Sequence, residues 1–282
     1  MSQNYLSIYA KSFNWSGFFL PKKVYKKCST LYDFCRTLDD IADQELNLET
    51  RIEKFNEFKN NFINKKFNNH IIKNIHELID ELGISKKIVF DLFDGVESDL
   101  KREVKINSKK ELLIYSYRVA GTVGLMMAKI LNVKKKNALK AAIDLGIAMQ
   151  LTNIARDVIE DGTKNRKYIN SNFESIKKTL ITAETFYKSS FLSISDIPIS
   201  CRFAILVARR VYRQIGNNIL SKKNIKDYNK SGKIYVSVFG KFLQTILSFL
   251  DFFILLTVKS KNHDKDAEHQ IINEEINLNE RI

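Results

Sequence analysis

The sequence predicts an all-α protein, a bundle of about eight helices, and three observations predict it. Over 282 residues there are only 10 glycines and 2 prolines, too few to punctuate the many short strands of a sandwich or barrel, or the tight turns of a long α/β chain. Apolar residues recur every three or four positions, as at Leu112, Tyr115, Val119, Val123, Met126, Met127 and Ile130, which is the period of a helix with one buried face. No internal repeat and no low-complexity linker divides the chain. Residues 1–258 therefore read as a single domain, followed by a polar tail, 259–282, with the character of a frayed or solvent-exposed end.

The helices are separated in turn at Pro21, around Asn47, at Gly83, near Ser108, at Asn132, across Gly162 to Ser171, and at Pro198. Proline starts or stops a helix, glycine supplies a left-handed cap, and Asn or Ser accepts from the open N–H groups of a first turn. Met1 to Leu20 mixes polar and aromatic positions and lacks the apolar core and cleavage site of a secretory signal. The longest apolar run, Phe242 to Val258, is interrupted by Gln244 and Asp251. It falls short of a clean spanning segment of about 18 residues and reads as a buried or interfacial helix. Cys28, Cys35 and Cys201 are odd in number and lack CxxC spacing, so the sequence suggests neither a disulfide framework nor a zinc site, and a reducing cytosol is the expected compartment.

Lys and Arg total 46 against 32 Asp and Glu, a net charge of +14. Such a surplus suits phosphates, whether of nucleic acid or of a membrane surface. Only 11 of the cations are Arg, however, and 25 Asn accompany them in Lys/Asn/Ile runs such as Asn60 to Asn69, so most of the surplus reads as solvated helix faces. No nucleic-acid recognition module or aromatic-basic string is present, and no nucleic-acid partner is expected.

Two stretches carry chemistry. In Leu31-Tyr-Asp-Phe-Cys-Arg-Thr-Leu-Asp-Asp-Ile-Ala-Asp43, Asp39 and Asp43 are four apart, so a helix projects both carboxylates from one face with Arg36 a turn back. In Ala148-Met-Gln-Leu-Thr-Asn-Ile-Ala-Arg-Asp-Val-Ile-Glu-Asp161, Asp157 and Asp161 repeat the spacing, with Gln150 and Asn153 upstream. One such pair is compatible with a solvated helix face. Two pairs, each among apolar neighbours and each with Arg36 or Arg156 close by, suit a hard cation such as Mg²⁺, which is held by a few carboxylates together with substrate phosphates.

These stretches belong to longer strings. Tyr9-Ala-Lys-Ser-Phe13, Leu20-Pro21, Tyr32-xxx-Arg36-xx-Asp39-Asp40-xx-Asp43, Asp94-Gly-Val-Glu-Ser-Asp99, Tyr115-Ser-Tyr-Arg-Val-Ala-Gly-Thr-Val-Gly124, Gln150-Leu-Thr-Asn153-xx-Arg156-Asp157-xx-Glu160-Asp161 and Arg209-Arg-Val-Tyr-Arg-Gln-Ile-Gly216 occur in order from about residue 5 to about residue 245. Together they resemble the squalene and phytoene synthase family. The resemblance implies the all-α isoprenoid-synthase fold, a bundle around a central cavity, and head-to-head joining of two allylic prenyl diphosphates through a cyclopropyl diphosphate. It also implies that Asp39, Asp43, Asp157 and Asp161 hold Mg²⁺ (or Mn²⁺) bridging the diphosphates. Arg36 and Arg166 match positions that contact diphosphate, Lys11, Ser12, Tyr32 and Tyr115 match positions near the diphosphates or the reacting carbons, and Gln150 and Asn153 match the polar inward face of the second motif. For Tyr32 and Tyr115 an amphipathic core role is the alternative, and it is the favoured one for Tyr117 and Tyr212.

A carbocation needs a dry cavity, and Val119 to Met127 supplies that kind of wall. Gly121 and Gly124 either leave room for a prenyl chain or let two helices pack closely. Ala120 to Gly124, the Arg166-Lys-Tyr-Ile169 ending and Ala208 to Gly216 look more like bacterial phytoene synthases than eukaryotic squalene synthases, whose long C-terminal anchor is also missing. The resemblance thus implies 15-cis-phytoene from two geranylgeranyl diphosphates, without NADPH; squalene or dehydrosqualene from farnesyl diphosphate is the alternative. A non-catalytic assembly factor of the same fold would be expected to have lost these aspartates and arginines. Ala10 stands where some relatives carry a hydroxyl residue, and Asn170 where a proline often follows the second motif. His70, His76, His263 and His269 lie outside every motif, without metal-site spacing, and read as surface residues. The greasy substrate implies a cytoplasmic enzyme able to sit peripherally on the inner face of a membrane.

Overall fold

In a computed structural model of the chain, the structure describes residues 15–44, 46–258, 263 and 267–282. Lys11, Ser12 and Ala10 lie outside the described residues. The first long helix, α1 (Lys22–Asp43), begins directly after Pro21. It is followed by α2 (Leu48–Ile63), α3 (His70–Leu82) and α4 (Lys86–Glu97). Phe34 of α1, Phe58 and Phe62 of α2 and Phe93 of α4 form a nest with Phe34 ring centroids 5.8–6.1 Å from the other three. With Leu31, Leu38 and Ile41 also buried, the apolar stripe of α1 is fixed against its neighbours. The stripe Tyr32, Arg36, Asp39, Asp43 is left turned to the other side.

A short parallel ladder joins β1 (Val104–Lys105) to β2 (Arg166–Lys167), with Val104 opposite Arg166. Between them run α5 (Lys109–Ser116), a π-helical turn over Tyr117–Gly121, α6 (Thr122–Ile130) and α7 (Lys136–Thr163). α7 is the central helix, buried along its length from Ala138 to Val158. It packs so closely on the π turn and α6 that a Cβ on Gly124 would lie 2.2 Å from the Ala142 carbonyl oxygen, and one on Gly146 2.2 Å from that of Ala120. Close helix approach is therefore what Gly124 provides, and the same residue also lines the apolar cavity. The remaining elements are α8 (Phe173–Phe191), a 3-10 turn over Leu192–Asp196, α9 (Ile199–Leu220), α10 (Ile225–Lys230), α11 (Val238–Thr257), α12 (Ala267–Glu275) and a last 3-10 turn over Leu278–Glu280.

Three expectations are corrected here. The described residues hold twelve α-helices rather than about eight, because several breaks are made by residues that the composition hides. Asn69 and Asn224 cap α3 and α10, and in a chain with 25 Asn an asparagine does not stand out as a boundary. The end of the chain is not frayed: Ile272, Ile276 and Leu278 are buried, and Arg281 forms a two-pronged pair with Asp91 at 2.9 and 3.0 Å. Nor are the histidines uniformly superficial. His70 is exposed, but His76 is buried and stacks on Phe62 at 4.5 Å, and His269 and the side chain of His263 are buried as well.

α11 has its polarity reversed. Gln244, Thr245, Ser248 and Asp251 are buried with a single apolar residue, Leu255, and Arg210 of α9 grips Asp251 at 2.6 and 2.7 Å. Phe239, Phe242, Phe249, Leu250 and Phe253 face outward. The helix is long and apolar enough to cross a membrane by length and composition, yet its inner face is tied to the bundle by polar contacts.

Candidate active site

Each aspartate motif sits on a long helix whose opposite face is fixed in the core, so the carboxylates are presented by rigid elements. At the end of α1, Asp43 is gripped from across the fold: Arg166 Nη1 donates to its Oδ1 at 2.6 Å and Lys164 Nζ to its Oδ2 at 2.9 Å. Both cations follow α7, and the β1–β2 ladder sets their position, with Val104 N–H bonded to the Asn165 carbonyl at 3.0 Å. Burial pushes the Asp43 carboxyl up, but the hydrogen bonds and charges of Lys164 and Arg166 outweigh it and hold it below the usual range. Asp39, a turn earlier, has no such partner. It meets the water of the cleft but is deeply surrounded by protein. That enclosure, with Asp43 and Asp99 nearby and only partly offset by Arg36, pushes its carboxyl up to about 7. Arg36 is paired with Asp40 at 2.6 Å.

The second motif repeats the division. Arg156 holds its neighbour Asp157 with two bonds of 2.8 and 2.6 Å, and Lys233 lies 3.5 Å from Asp157 and 2.6 Å from Glu160. Asp161 is pushed up to about 7 by burial and by Asp157, against the opposing pull of Arg166 and Lys164. The same two cations thus act on Asp43 and Asp161, which links the ends of α1 and α7 electrostatically.

Tyr115 and Tyr168 stack at 4.8 Å, and their hydroxyls each reach one oxygen of Asp99 at 2.8 Å. Burial, then the charge of Asp99, raises the Tyr115 phenol far above its ordinary value, so it stays protonated. Tyr32 is half-buried, and burial pushes it up to about 12 against the effect of Arg36. Gln150 and Asn153 reach a mainly apolar cavity walled by Val119, Ala120, Val123, Met127 and Leu145, with Ser190, Ser193 and Tyr212 also lining it. The π turn, an uncommon element often found at functional sites, supplies Val119 and Ala120. Tyr117 takes the expected core role, wholly buried and donating to Asp91 at 2.7 Å. Tyr212 packs on the core as expected and also lines the apolar cavity, close enough to the site that Arg156 and Asp157 act on its hydroxyl.

The residues fit a hard cation. Among the described residues, neither Asp39 nor Asp161 has a side-chain hydrogen bond or ion pair, both resist ionisation in the metal-free protein, and the buried Asn153 Oδ1 has no partner. Unneutralised oxygen donors of this kind are what Mg²⁺ takes. The four aspartates do not close into a single tight group of donors, so substrate oxygens and water would have to complete a cation's shell.

Sequence reasoning missed Asp99, Tyr168, Lys164 and Lys233. Asp99 and Tyr168 lie inside quoted strings, but their pairing depends on a contact 69 residues apart. No spacing marks the two lysines, which reach the site only through the loop after α7 and the segment after α10.

An all-α bundle in which two long helices each carry an aspartate pair, the second of them also walling an apolar cavity, has the isoprenoid-synthase fold. The family model described as squalene/phytoene synthase matches residues 7–173, and the chain belongs to that family. The 15-cis-phytoene synthase of Pantoea ananas is 28% identical over 244 residues, 75% of this chain and 79% of that protein. The presqualene diphosphate synthase of Rhodopseudomonas palustris is 27% identical over 233 residues, covering 82% of this chain and 80% of the other. A crystal structure of a dehydrosqualene synthase in complex with a ligand superposes with a TM-score of 0.72 at 26% identity, over 90% of this chain and 94% of that one.

Proposed function

We propose that this protein is a prenyltransferase that condenses two geranylgeranyl diphosphates head to head, through a cyclopropyl diphosphate, to 15-cis-phytoene. The observation that carries the reading is the division of each motif into one carboxylate paired at hydrogen-bond distance and one that is not, Asp43 with Asp39 and Asp157 with Asp161, on helices of which the second also lines an apolar cavity through Gln150 and Asn153. Asp39, Asp43, Asp157 and Asp161 would hold Mg²⁺, or Mn²⁺ in its place, with Asn153 as a further oxygen donor. Bound there, the metal supplies Lewis-acid neutralisation of charge on a departing diphosphate.

The chain's own groups do the rest. Arg166 and Lys164 stand ready to exchange Asp43 for phosphate oxygens, and the guanidinium fork of Arg166 suits that exchange. Arg36 is positioned for the same task, and by family resemblance so are Lys11 and Ser12. Val119, Ala120, Val123, Met127 and Leu145 exclude water from the allylic cation, while Gln150 marks the polar end of the cavity. Tyr115, fixed by Asp99 and Tyr168, and Tyr32, beside Arg36 and Asp39, present neutral hydroxyls where charge develops. Because phytoene formation ends in loss of a proton, no NADPH is needed. Resemblance to phytoene synthases supports the choice of geranylgeranyl diphosphate. The outward apolar face of α11 supports peripheral attachment at a membrane surface, where such substrates and products partition.

Incubating the purified protein with geranylgeranyl or farnesyl diphosphate and Mg²⁺, with and without NADPH, and identifying the hydrocarbon by mass spectrometry tests this. Phytoene without NADPH is expected. Squalene, dehydrosqualene or a requirement for NADPH would overturn the product assignment.

A further inference from the structure

Away from the aspartate motifs, α7 carries a second acidic position that the reaction does not use. Asp144 lies 13 residues before Asp157 on that helix, about three and a half turns away. His263 brings Nε2 to 2.8 Å from Asp144 Oδ2, and His269 of α12 brings Nε2 to 3.0 Å from the same oxygen. Ser189 of α8 contacts that oxygen too, and its Oγ is 3.2 Å from His269 Nε2. The two imidazoles meet edge to face at 4.7 Å. Asp144 and His269 are each only 2% exposed.

We propose that Asp144, His263 and His269 form a structural site for a borderline divalent transition ion of the zinc class, separate from the hard-cation site of the aspartate motifs, and that this ion fastens the C-terminal segment to the bundle. The donor set is the first reason. Two imidazole nitrogens and a carboxylate oxygen lie within 4.8 Å of one another; imidazole donors favour zinc and its neighbours, whereas Mg²⁺ takes oxygen. Separation is the second. Bonds of about 2.0–2.2 Å in a tetrahedron set donors roughly 3.3 Å apart, so contacts of 2.8–3.2 Å need to open only slightly around an ion. Ser189 Oγ or water would complete the tetrahedron. Charge is the third. Among the described residues no Lys or Arg pairs with Asp144, whose ion-pair partners are the two histidines alone. Against its burial, the two imidazoles hold the Asp144 carboxyl below its usual range, and a divalent cation would carry that counter-charge without protonating either ring.

The placement fits a fastening role. α12 and the final turn hold to the bundle through Ile272, Ile276, Leu278, the Arg281–Asp91 pair and ion pairs from Lys109 and Lys110 to Glu268 and Glu275, and the histidine cluster ties the same segment to α7 and α8.

The test uses the full chain, stripped with chelator and dialysed, titrated with Zn²⁺ by calorimetry in excess Mg²⁺ so that the oxygen site is saturated. Thermal denaturation with and without Zn²⁺ runs in parallel. A single tight equivalent and a raised thermal midpoint are expected for the wild type. His263→Gln should weaken Zn²⁺ binding by about 100-fold or more while leaving Mg²⁺-dependent turnover within about twofold, and Asp39→Asn should leave Zn²⁺ binding unchanged. Co²⁺ in place of Zn²⁺ should give visible absorption that His263→Gln abolishes. Equal Zn²⁺ binding by wild type and His263→Gln would overturn the site. So would a thermal midpoint that Zn²⁺ does not move in the wild type while His263→Gln and His269→Gln lower it, since that pattern belongs to a metal-free histidine–carboxylate clamp.

Discussion

The two aspartate motifs share a spacing but not a source of neutralising charge. Asp157 is held by Arg156, its neighbour in sequence, whereas Asp43 is held by Arg166 and Lys164, more than 120 residues away. The second motif carries its counter-charge with it; the first receives one only when the fold closes and the β1–β2 ladder forms. In both, the partner carboxylate lacks a cation at hydrogen-bond distance and is pushed up to about 7 by burial. The likeness of the two motifs therefore lies in Asp39 and Asp161. Their difference lies in what positions Asp43 and Asp157.

The largest effects should come from removing what the motifs share. Asp39→Asn or Asp161→Asn deletes a cation ligand without changing volume, and turnover should fall by at least about 100-fold while circular dichroism keeps the wild-type helical signal. Asp157→Asn should likewise abolish turnover, and chelation by EDTA should stop the reaction until Mg²⁺ or Mn²⁺ is restored. Wild-type activity in any of the three variants, or condensation without metal, would sink the metal assignment.

Arg166→Gln should separate the motifs. It removes the charge held against Asp43 and Asp99 and weakens the pull on Asp161, while Arg156 still serves Asp157. Loss of one partner of a largely buried pair costs several kcal/mol, and the half-open position of Asp43 reduces this to about 2 kcal/mol. Denaturant unfolding should show that loss together with a weaker apparent affinity for diphosphate. Arg156→Gln should leave the first motif unaffected, and equal effects of the two variants on diphosphate affinity would contradict the division.

The pH dependence follows from Asp39 and Asp161. Both are carboxyls whose folded value, about 7, lies above the ordinary 3.8, so the metal-free folded protein keeps protons that the unfolded chain releases. Their contribution to stability is greatest below about pH 4, declines as pH rises toward 7 and is flat above. A cation must displace those protons. The Mg²⁺ concentration for half-maximal turnover should therefore fall as pH rises from 6 toward 8, by at most about tenfold per pH unit for each proton released, with the dependence halved in Asp39→Asn if residual turnover can be measured. A flat Mg²⁺ requirement across that range would show that neither carboxyl is protonated in the resting enzyme.

Local sequence rules reached most of the fold and half of the site. Scarce Gly and Pro and the three-to-four period identify helices because both properties act within a turn or two. Tyr32, Arg36, Asp39 and Asp43 share a stripe for the same reason. Asp99 with Tyr168, Lys164 with Asp43, and His263 and His269 with Asp144 are joined by separations of 69 to 125 residues, which no spacing rule reaches. The parallel ladder that sets Arg166 is only two residues long, too short for any alternation. The docked C-terminal segment was hidden by its polar composition: few apolar side chains are needed when Arg281 finds Asp91 and two histidines find Asp144.

The smallest effect concerns the two faces of α11, which extend the same contrast between charge fixed by the fold and surface left open. Asp251 and Gln244 hold the inner face, so the apolar outer face can be thinned without unfolding the helix. Phe239 and Phe253 are 76% and 61% exposed and contribute little to the core. Phe239→Ser with Phe253→Ser should leave the thermal midpoint and turnover in detergent nearly unchanged. It should lower the affinity for anionic liposomes, read by flotation, by about 30-fold, since the two rings buried in the interface contribute on the order of 1 kcal/mol each. Salt should weaken wild-type binding in addition, through the Lys-rich surface, each basic residue near the lipid contributing about 1 kcal/mol. If the double variant floats as well as the wild type, α11 is not the membrane face; if the wild type does not float even at low salt, peripheral attachment fails for the whole protein, whereas the chemistry of the aspartate cleft stands independently of it.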